Sequence, residues 1–301
     1  MTDPRSLLVA IDGGATKTLL RIAQPDGTVL SEAQSGPSNI ATDVEQAARS
    51  IRKAFDNALH AADLEDAHQR GAIQWVAAAG IAGTESSGRS ERLHELCDFF
   101  SIFSVWSDAY TSCFGAHGGK NGAIVAIGTG SVGYAIADDR THRVGGWGFP
   151  QSDEGGGARI GLRALQHMLC TLDGRCTETA LSEYIRLDIE KQSANPLTYG
   201  IGASSTQFAS LAPLVVRSAQ SGCQAAEDIL ADAAGDIANI ARTLLLEKDF
   251  SDLSLTLLGS LASILEPRLP VDIQKRITSP RGSSLDGATR LARNIFPLKK
   301  Q

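Results

Sequence analysis

Two stretches of this 301-residue chain carry the residue types that can hold a phosphate. The first is Asp12-Gly13-Gly14-Ala15-Thr16-Lys17-Thr18, entered through Leu7–Ile11, and the second is Gly128-Thr129-Gly130-Ser131, entered through Ala123–Ile127. In both, Val-Ala-Ile runs into a glycine turn. Backbone amides exposed at such a turn form a concave nest for oxyanions, and glycine lets the chain approach a phosphate closely and adopt positive φ. Thr16, Thr18, Thr129 and Ser131 can add hydroxyl donors. Each turn alone could be an ordinary hairpin; their repetition in register favours a pair of nests that grip one nucleotide. An Asp stands at the first turn and not at the second.

Gly128–Gly133 also reads G-x-G-x-x-G, the dinucleotide fingerprint. That device needs a helix directly after the loop, because the helix N-terminus receives the pyrophosphate. Here the sequence continues as VGYAIADDRTHRV, a strand and hairpin pattern, so the fingerprint fails its context. The P-loop ending Gly-Lys-Ser/Thr is absent from the sequence.

The elements that must position these loops follow from periodicity. Residues 7–11, Thr18–Ala23 and Thr28–Glu32 form a meander around the turn QPDG. Val44, Ala47, Ala48, Ile51, Ala54, Phe55 and Leu59 recur at helical spacing over 42–62, an amphipathic helix for one face of that sheet. A buried strand in IQWVAAAGIAG, a helix over 88–100, a strand in SIFSVWSD and a small-residue helix in AYTSCFGAHGG follow. The plan then repeats, with strands at 122–127, 132–137 and 141–144. Helices are predicted at 157–170, 206–220 and 224–247, a strand at 253–259 and a last helix in SSLDGATRLARNIF. KQSANPLTYGIGASS reads as a long loop. The expected division is an N-terminal lobe of 1–119 completed by 283–301, and a C-terminal lobe of 120–282.

Composition restricts the partner. A net charge of −6 with no dense Lys/Arg cluster excludes the basic face that nucleic acid requires. No run reaches the length of a membrane span, and the start lacks a signal-peptide pattern, so a cytoplasmic enzyme is expected. The five cysteines (Cys97, Cys113, Cys170, Cys176, Cys223) are scattered without a Cys-x-x-Cys pair, which indicates neither a disulfide framework nor a zinc site.

AIDGGATKT, SDAYTSCFGAH, AIGTGSVGY, GGWGFPQSDEGGGARIG and LLGSLAS, in that order, resemble the N-acetylglucosamine kinase branch of the BadF/BadG/BcrA/BcrD ATPase family. The resemblance implies an α/β fold of the duplicated ribonuclease-H-like, actin-like kind, two lobes with a nucleotide and sugar cleft between them. It implies ATP and Mg²⁺ as cofactors and a homodimer. By it, Asp12, Gly13, Gly14, Thr16, Lys17 and Thr18 are the first phosphate loop, and Gly128, Thr129, Gly130 and Ser131 the second. Asp12 would hold Mg²⁺ through water, which suits an ion that keeps most of its hydration; a strand-end cap is its plain alternative.

Asp108 resembles the catalytic base that takes the proton of the attacking sugar hydroxyl, although an Asp between strand and helix is also a common N-cap. Asn39 resembles a sugar-contacting Asn, or is simply a turn residue after Gly-Pro. Gly145, Gly146, Trp147 and Gly148 resemble the wall that meets an acetamido group, where an indole beside bare amides suits a methyl and a carbonyl. Trp147 could instead be a core aromatic. Asp153 resembles an acceptor for sugar hydroxyls, or caps the helix starting near Gly157. Gly259 and Ser260 resemble the turn on which adenosine rests, or form a plain loop.

The implied reaction is transfer of the ATP γ-phosphate to the 6-hydroxyl of N-acetylglucosamine. Free glucosamine is the alternative substrate, with Asp153 or Glu154 as ammonium partner. An activator ATPase is a distant alternative that would need cluster-ligating cysteines.

Overall fold

The structure, a computed structural model, describes residues 5–192 and 194–296. Residues 1–4, 193 and 297–301, which fall at the ends of the expected N-terminal lobe and in the expected long loop, lie outside the described residues. Two compact units are present: one runs to Asn121 and takes in the chain again from Pro280, and the other is Gly122–Ser279.

In the first unit, β1 (Arg5–Gly13), β2 (Thr18–Ala23) and β3 (Val29–Ser35) form an antiparallel meander. The helices α1 (Val44–Ala61) and α2 (Glu65–Gln69) lead to β4 (Ile73–Ile81), parallel to β1. From there α3 (Arg89–Leu96), β5 (Ile102–Ser107), parallel to β4, and α4 (Asp108–Ala116) complete the sheet in the order β3-β2-β1-β4-β5. Alternation along β1 explains its unbroken apolar run, since both faces are covered. Leu7, Val9 and Ile11 pack with Ile51, Ala54 and Phe55 of α1. Leu8 meets Leu291 and Ala292, and Ala10 meets Leu285 and Ala288, all on the last helix of the chain, Ser284–Ile295. Asp43 starts α1 by accepting from Gln46 N at 2.8 Å, the capping that its position before an apolar stripe requires. Phe55 is fully buried, edge-on to Trp75 at 5.0 Å, a burial that stabilises by about 2–3 kcal/mol.

The second unit opens with another meander, β6 (Gly122–Ile127), β7 (Ser131–Ala137) and β8 (Arg140–Gly145). Five helices follow: α5 (Gly157–Leu172), α6 (Ala180–Lys191), α7 (Ser205–Ala209), α8 (Ala212–Gln220) and α9 (Gln224–Leu244). Then β9 (Leu255–Leu258) lies parallel to β6, giving the order β8-β7-β6-β9. Where the first unit has a fifth strand, this one has, among the described residues, a parallel bridge between Leu255 and Ile277, beyond the short α10 (Ala262–Leu265) and α11 (Val271–Gln274). The last helix is therefore α12. A meander followed by parallel strands and covering helices, built twice, is the duplicated ribonuclease-H-like α/β fold.

Apart from the short α2, α10 and α11, which were not predicted, two helix expectations differ from the structure. The helix expected over 206–220 is broken into α7 and α8, because Pro213 has no amide and its ring would collide with the carbonyl four residues back, at Ala209 where α7 ends. And α6, with Leu181, Ile185 and Ile189 buried at helical spacing behind a Thr179–Ser182 capping box, was not among the predicted helices.

Candidate active site

In the first unit the candidate groups gather at the C-terminal ends of the parallel strands. Asp12 is the penultimate residue of β1 and Asp108 opens α4 directly after β5. The N-cap of α4 is Ser107, whose hydroxyl accepts from Tyr110 N at 3.1 Å, so capping falls to Ser107 and not to Asp108. Asp108 Oδ1 accepts from Ala109 N at 2.8 Å, in the first turn of a helix, where a carboxylate is favourably placed. Thr111 Oγ1 lies 3.1 Å from the Asp108 carbonyl and 3.0 Å from Ser284 Oγ, and the Ser284 hydroxyl in turn bonds to the Asp12 carboxyl. Burial pushes the Asp12 carboxyl up from the usual carboxylate range, against the pull of that hydroxyl and of the Lys17 ammonium.

The first glycine turn is closed by Gly14 N donating to Lys17 O at 3.0 Å, and Ala15, Thr16 and Lys17 are exposed. Thr18 is different. It is fully buried, and its Oγ1 lies 2.7 Å from both Gly36 O and Ser38 Oγ. Both are acceptors for its single proton. Thr18 thus ties down the following segment and does not offer a surface hydroxyl. That segment is also stitched to the turn by Ser38 N to Gly14 O at 2.9 Å and to the end of β4 by Ile40 N to Ala82 O at 3.0 Å. Asn39 sits between those two bonds. Its Oδ1 accepts from Ala41 N at 2.9 Å, a local turn bond that leaves the side-chain amide without a partner among the described residues.

In the second unit, the Gly128–Gly130 turn rests on the start of α5. Gly157 N and Ala158 N each donate at 2.8 Å, to Gly128 O and Thr129 O. The leading amides of α5 are occupied by the turn itself, so the amides left to meet an anion are those of Thr129 and Gly130, which have no backbone partner among the described residues. Ser131 is buried, and its hydroxyl donates to Glu154 O at 2.5 Å; like Thr18 it anchors the turn. Asp153 takes left-handed backbone, φ +67°, rare for a residue with a side chain. Its Oδ1 accepts from Gly148 N at 3.3 Å, and its carboxyl lies so close to Gly130 that a Cβ there would meet Oδ2 at 2.1 Å. Asp153 therefore links the Gly128–Gly130 turn to the GGWG segment. It does not cap α5, whose N-cap is Gly156. Burial raises its pKa, the Gly148 amide lowers it, and neighbouring Glu154 raises it.

Trp147 is no core aromatic: it is 68% exposed, with the Arg143 guanidinium 4.9 Å above its ring, between glycines that all have positive φ. At the end of β9, Gly259 has φ +94°, and a Cβ there would meet Ile127 O at 2.2 Å, so only glycine brings this turn against β6. Gly128, Thr129 and Ser260 share a cavity of about 360 Å³ whose other wall is Ala209, Ala212, Pro213, Val216 and Arg217 of α7 and α8. A larger hollow of about 540 Å³ along α1, beside Arg49, Arg52 and Phe99, contains none of the candidate residues.

Residues 9–288 match the BadF/BadG/BcrA/BcrD ATPase family. The chain belongs to that family. It is 30% identical over 284 residues to the glucosamine kinase GspK of Vibrio cholerae, covering 94% of this chain and 95% of that one. Similarity to the N-acetylmuramic acid/N-acetylglucosamine kinase of Clostridium acetobutylicum is 29% over 236 residues, 76% of each chain. Among solved structures, a protein from Chromobacterium violaceum described as a candidate N-acetylglucosamine kinase superposes with a TM-score of 0.85 at 32% identity, over 96% of this chain and 99% of that one.

For a member of this ATPase family, the residues that sequence reading missed are Ser284, Thr111 and the α7–α8 wall. Ser284 lies in none of the motifs, and Thr111 lies in SDAYTSCFGAH without a chemical signal of its own; the return of α12 onto α4 brings the two hydroxyls together beside the aspartates. The donor set suits Mg²⁺. No group of three or more His, Cys, Asp or Glu side chains among the described residues could enclose a metal, while one half-buried carboxylate beside a glycine turn with open amides fits an ion held mainly by water and phosphate oxygens. Also among the described residues, no helix is long and apolar enough to cross a membrane.

Proposed function

We propose that the chain is an ATP-dependent amino-sugar kinase that phosphorylates the 6-hydroxyl of N-acetylglucosamine. The observation that carries this reading is the pair of glycine turns, each with open amides and a carboxylate on its flank, Asp12 at one and Asp153 at the other. Amides at Ala15–Thr16 and at Thr129–Gly130 bind phosphate oxygens, and the cavity at Gly128, Thr129 and Ser260 takes the nucleoside. Asp12 would hold Mg²⁺ through water, and the ion would supply neutralisation of phosphate charge. Asp108 accepts the proton of the sugar hydroxyl as its oxygen bonds to the γ-phosphorus and the bond to ADP breaks. Phosphoryl transfer has a loose transition state, so positioning and charge carry most of the effect and a modest base suffices.

Asn39 and Asp153 hold ring hydroxyls, and Trp147 with Gly145, Gly146 and Gly148 meets the acetamido group. The adjacent carboxylates of Asp153 and Glu154 favour a second reading, free glucosamine as substrate, because an ammonium requires an anionic partner. An activator ATPase would need accessible thiolates before the second turn; Cys97 and Cys113 are buried, and burial pushes the Cys97 thiol up to about 12. The reading includes a cytoplasmic homodimer.

A coupled ATP/Mg²⁺ assay across N-acetylglucosamine, glucosamine, N-acetylmannosamine and glucose tests it. The expected result is the highest kcat/KM for N-acetylglucosamine. A preference for glucosamine transfers the assignment to the second reading, and ADP release that no sugar stimulates refutes the kinase.

A further inference from the structure

Cys170 lies in the last turns of α5, and Cys176 follows the turn that ends it. The turn folds back tightly. Asp173 N donates to Leu169 O at 3.3 Å, Gly174 N to Thr171 O at 3.3 Å with Gly174 at φ +78°, and Cys176 N to Cys170 O at 3.1 Å. A direct peptide hydrogen bond between two residues sets their Cα atoms at roughly the 5–6 Å that a disulfide spans. The two sulfurs are near enough to affect each other's ionisation, and both residues are partly exposed. Cys97 and Cys113, by contrast, are buried, and Cys223 is a single thiol on another helix cap.

A shared metal would need further ligands. A neighbouring carboxylate, Asp173, is held by Arg175, with Nε 2.9 Å from both of its oxygens and Nη2 2.7 Å from Oδ2. No third His, Cys, Asp or Glu joins the pair in a metal-holding group among the described residues. Two neighbouring thiols, on a turn that a peptide hydrogen bond closes between their own residues and with no ligand set around them, can form one bond, and that bond is to each other.

We propose that Cys170 and Cys176 are a dithiol modification site that closes to an intramolecular disulfide by exchange with a low-molecular-weight disulfide such as oxidised glutathione. One thiolate attacks the glutathione disulfide and releases one reduced glutathione. The second thiolate then attacks the mixed disulfide and releases the other. Two protons leave the protein, two electrons pass to the oxidant, and one sulfur–sulfur bond replaces another. Burial and the neighbouring Cys170 sulfur hold the Cys176 thiol above its ordinary value, so exchange is slow at neutral pH and quickens as the pH rises. The closed bond pins the turn to α5, the helix whose first amides hold the Gly128 turn.

The test uses the full chain equilibrated in glutathione redox buffers, quenched with acid, alkylated and digested with trypsin. Trypsin cuts after Arg163, Arg175 and Arg186, so the two cysteines fall in separate peptides, 164–175 and 176–186. The expected result is these two peptides joined by a disulfide, half-formed at a ratio of oxidised to reduced glutathione at least tenfold below the one that half-modifies Cys223. In Cys176→Ser, Cys170 should then carry only a glutathione adduct, formed at ratios like those for Cys223. Separate glutathione adducts on both peptides of the wild-type protein, or unmodified peptides where Cys223 is already modified, overturn the proposal. The wild-type digest decides the matter even if the variant does not fold.

Discussion

Thr18→Val separates a buried anchor from a phosphate donor. Valine has nearly the shape of threonine and suits a strand, so no cavity forms and the backbone is not strained. What is lost is a hydroxyl with no solvent exposure, bonded at 2.7 Å to Gly36 O and to Ser38 Oγ, the latter also buried. Gly36 O and the Ser38 hydroxyl each lose a partner, and each such group costs about 1–3 kcal/mol. Ser38 can turn toward the vacated carbonyl, so the net loss should be about 2–3 kcal/mol and not the full sum. Urea unfolding followed by fluorescence of buried Trp75, in the same unit, should show a midpoint lower by roughly 1 M with an unchanged slope. Thr18→Ser keeps the hydroxyl and should lose only about 1 kcal/mol, the worth of one buried methyl. If Thr18→Val unfolds within about 0.5 kcal/mol of wild type while KM for ATP alone rises, the hydroxyl faces the nucleotide and the anchoring argument is wrong.

Asp108→Asn should fold normally and keep its sugar affinity while kcat falls by roughly 10²–10⁴, and near wild-type turnover would remove the base assignment. For Asp12→Asn the sign follows from a native carboxyl raised by burial. Below the unfolded value of 3.8 both states are protonated and the substitution is neutral, but as pH rises the unfolded state ionises first and the wild-type protein loses stability that Asn retains. The variant should therefore gain on wild type in denaturant midpoint from about pH 4 toward neutrality while losing activity, and an advantage that grows on acidification would contradict it. Trp147→Ala, at an exposed position, should leave the unfolding midpoint unchanged and raise KM for N-acetylglucosamine more than for glucosamine; equal rises in the two would place the indole elsewhere than at the acetamido group. Gly130→Ala must push the Asp153 carboxyl off its seat, so KM for ATP and for sugar should rise together, and a change in only one would deny the link.

The strands around both turns were legible because each has a short apolar run ending in glycine, and α1 because its stripe is long and regular. Length was the limit elsewhere. The Leu181, Ile185, Ile189 stripe of α6 is present in the sequence but brief and set among charged residues. The 206–220 pattern concealed a break because hydrophobic period continues across Pro213 while the hydrogen-bond ladder cannot.

The candidate site was legible in its glycines and carboxylates and illegible in its hydroxyls, and the reason lies in the duplication. Thr18 and Ser131 hold the same place, the first residue of the strand that leaves each glycine turn. Beside a phosphate turn a hydroxyl reads naturally as a donor to the ligand. In the fold each is buried and donates instead to the carbonyl of a distant segment, Gly36 in one unit and Glu154 in the other. Those segments lead directly to Asn39 and from Asp153, the two residues expected to hold the sugar. The repeated hydroxyl thus does in both units what neither turn can do alone: it fixes the spacing between the turn amides proposed for phosphate and the side chains proposed for the acceptor. Sequence spacing cannot show this, because the partner carbonyl lies eighteen residues away in one case and twenty-three in the other. The requirement is for a small buried donor at the strand start, which serine and threonine meet equally, so the two halves retain the device while differing in the residue that performs it.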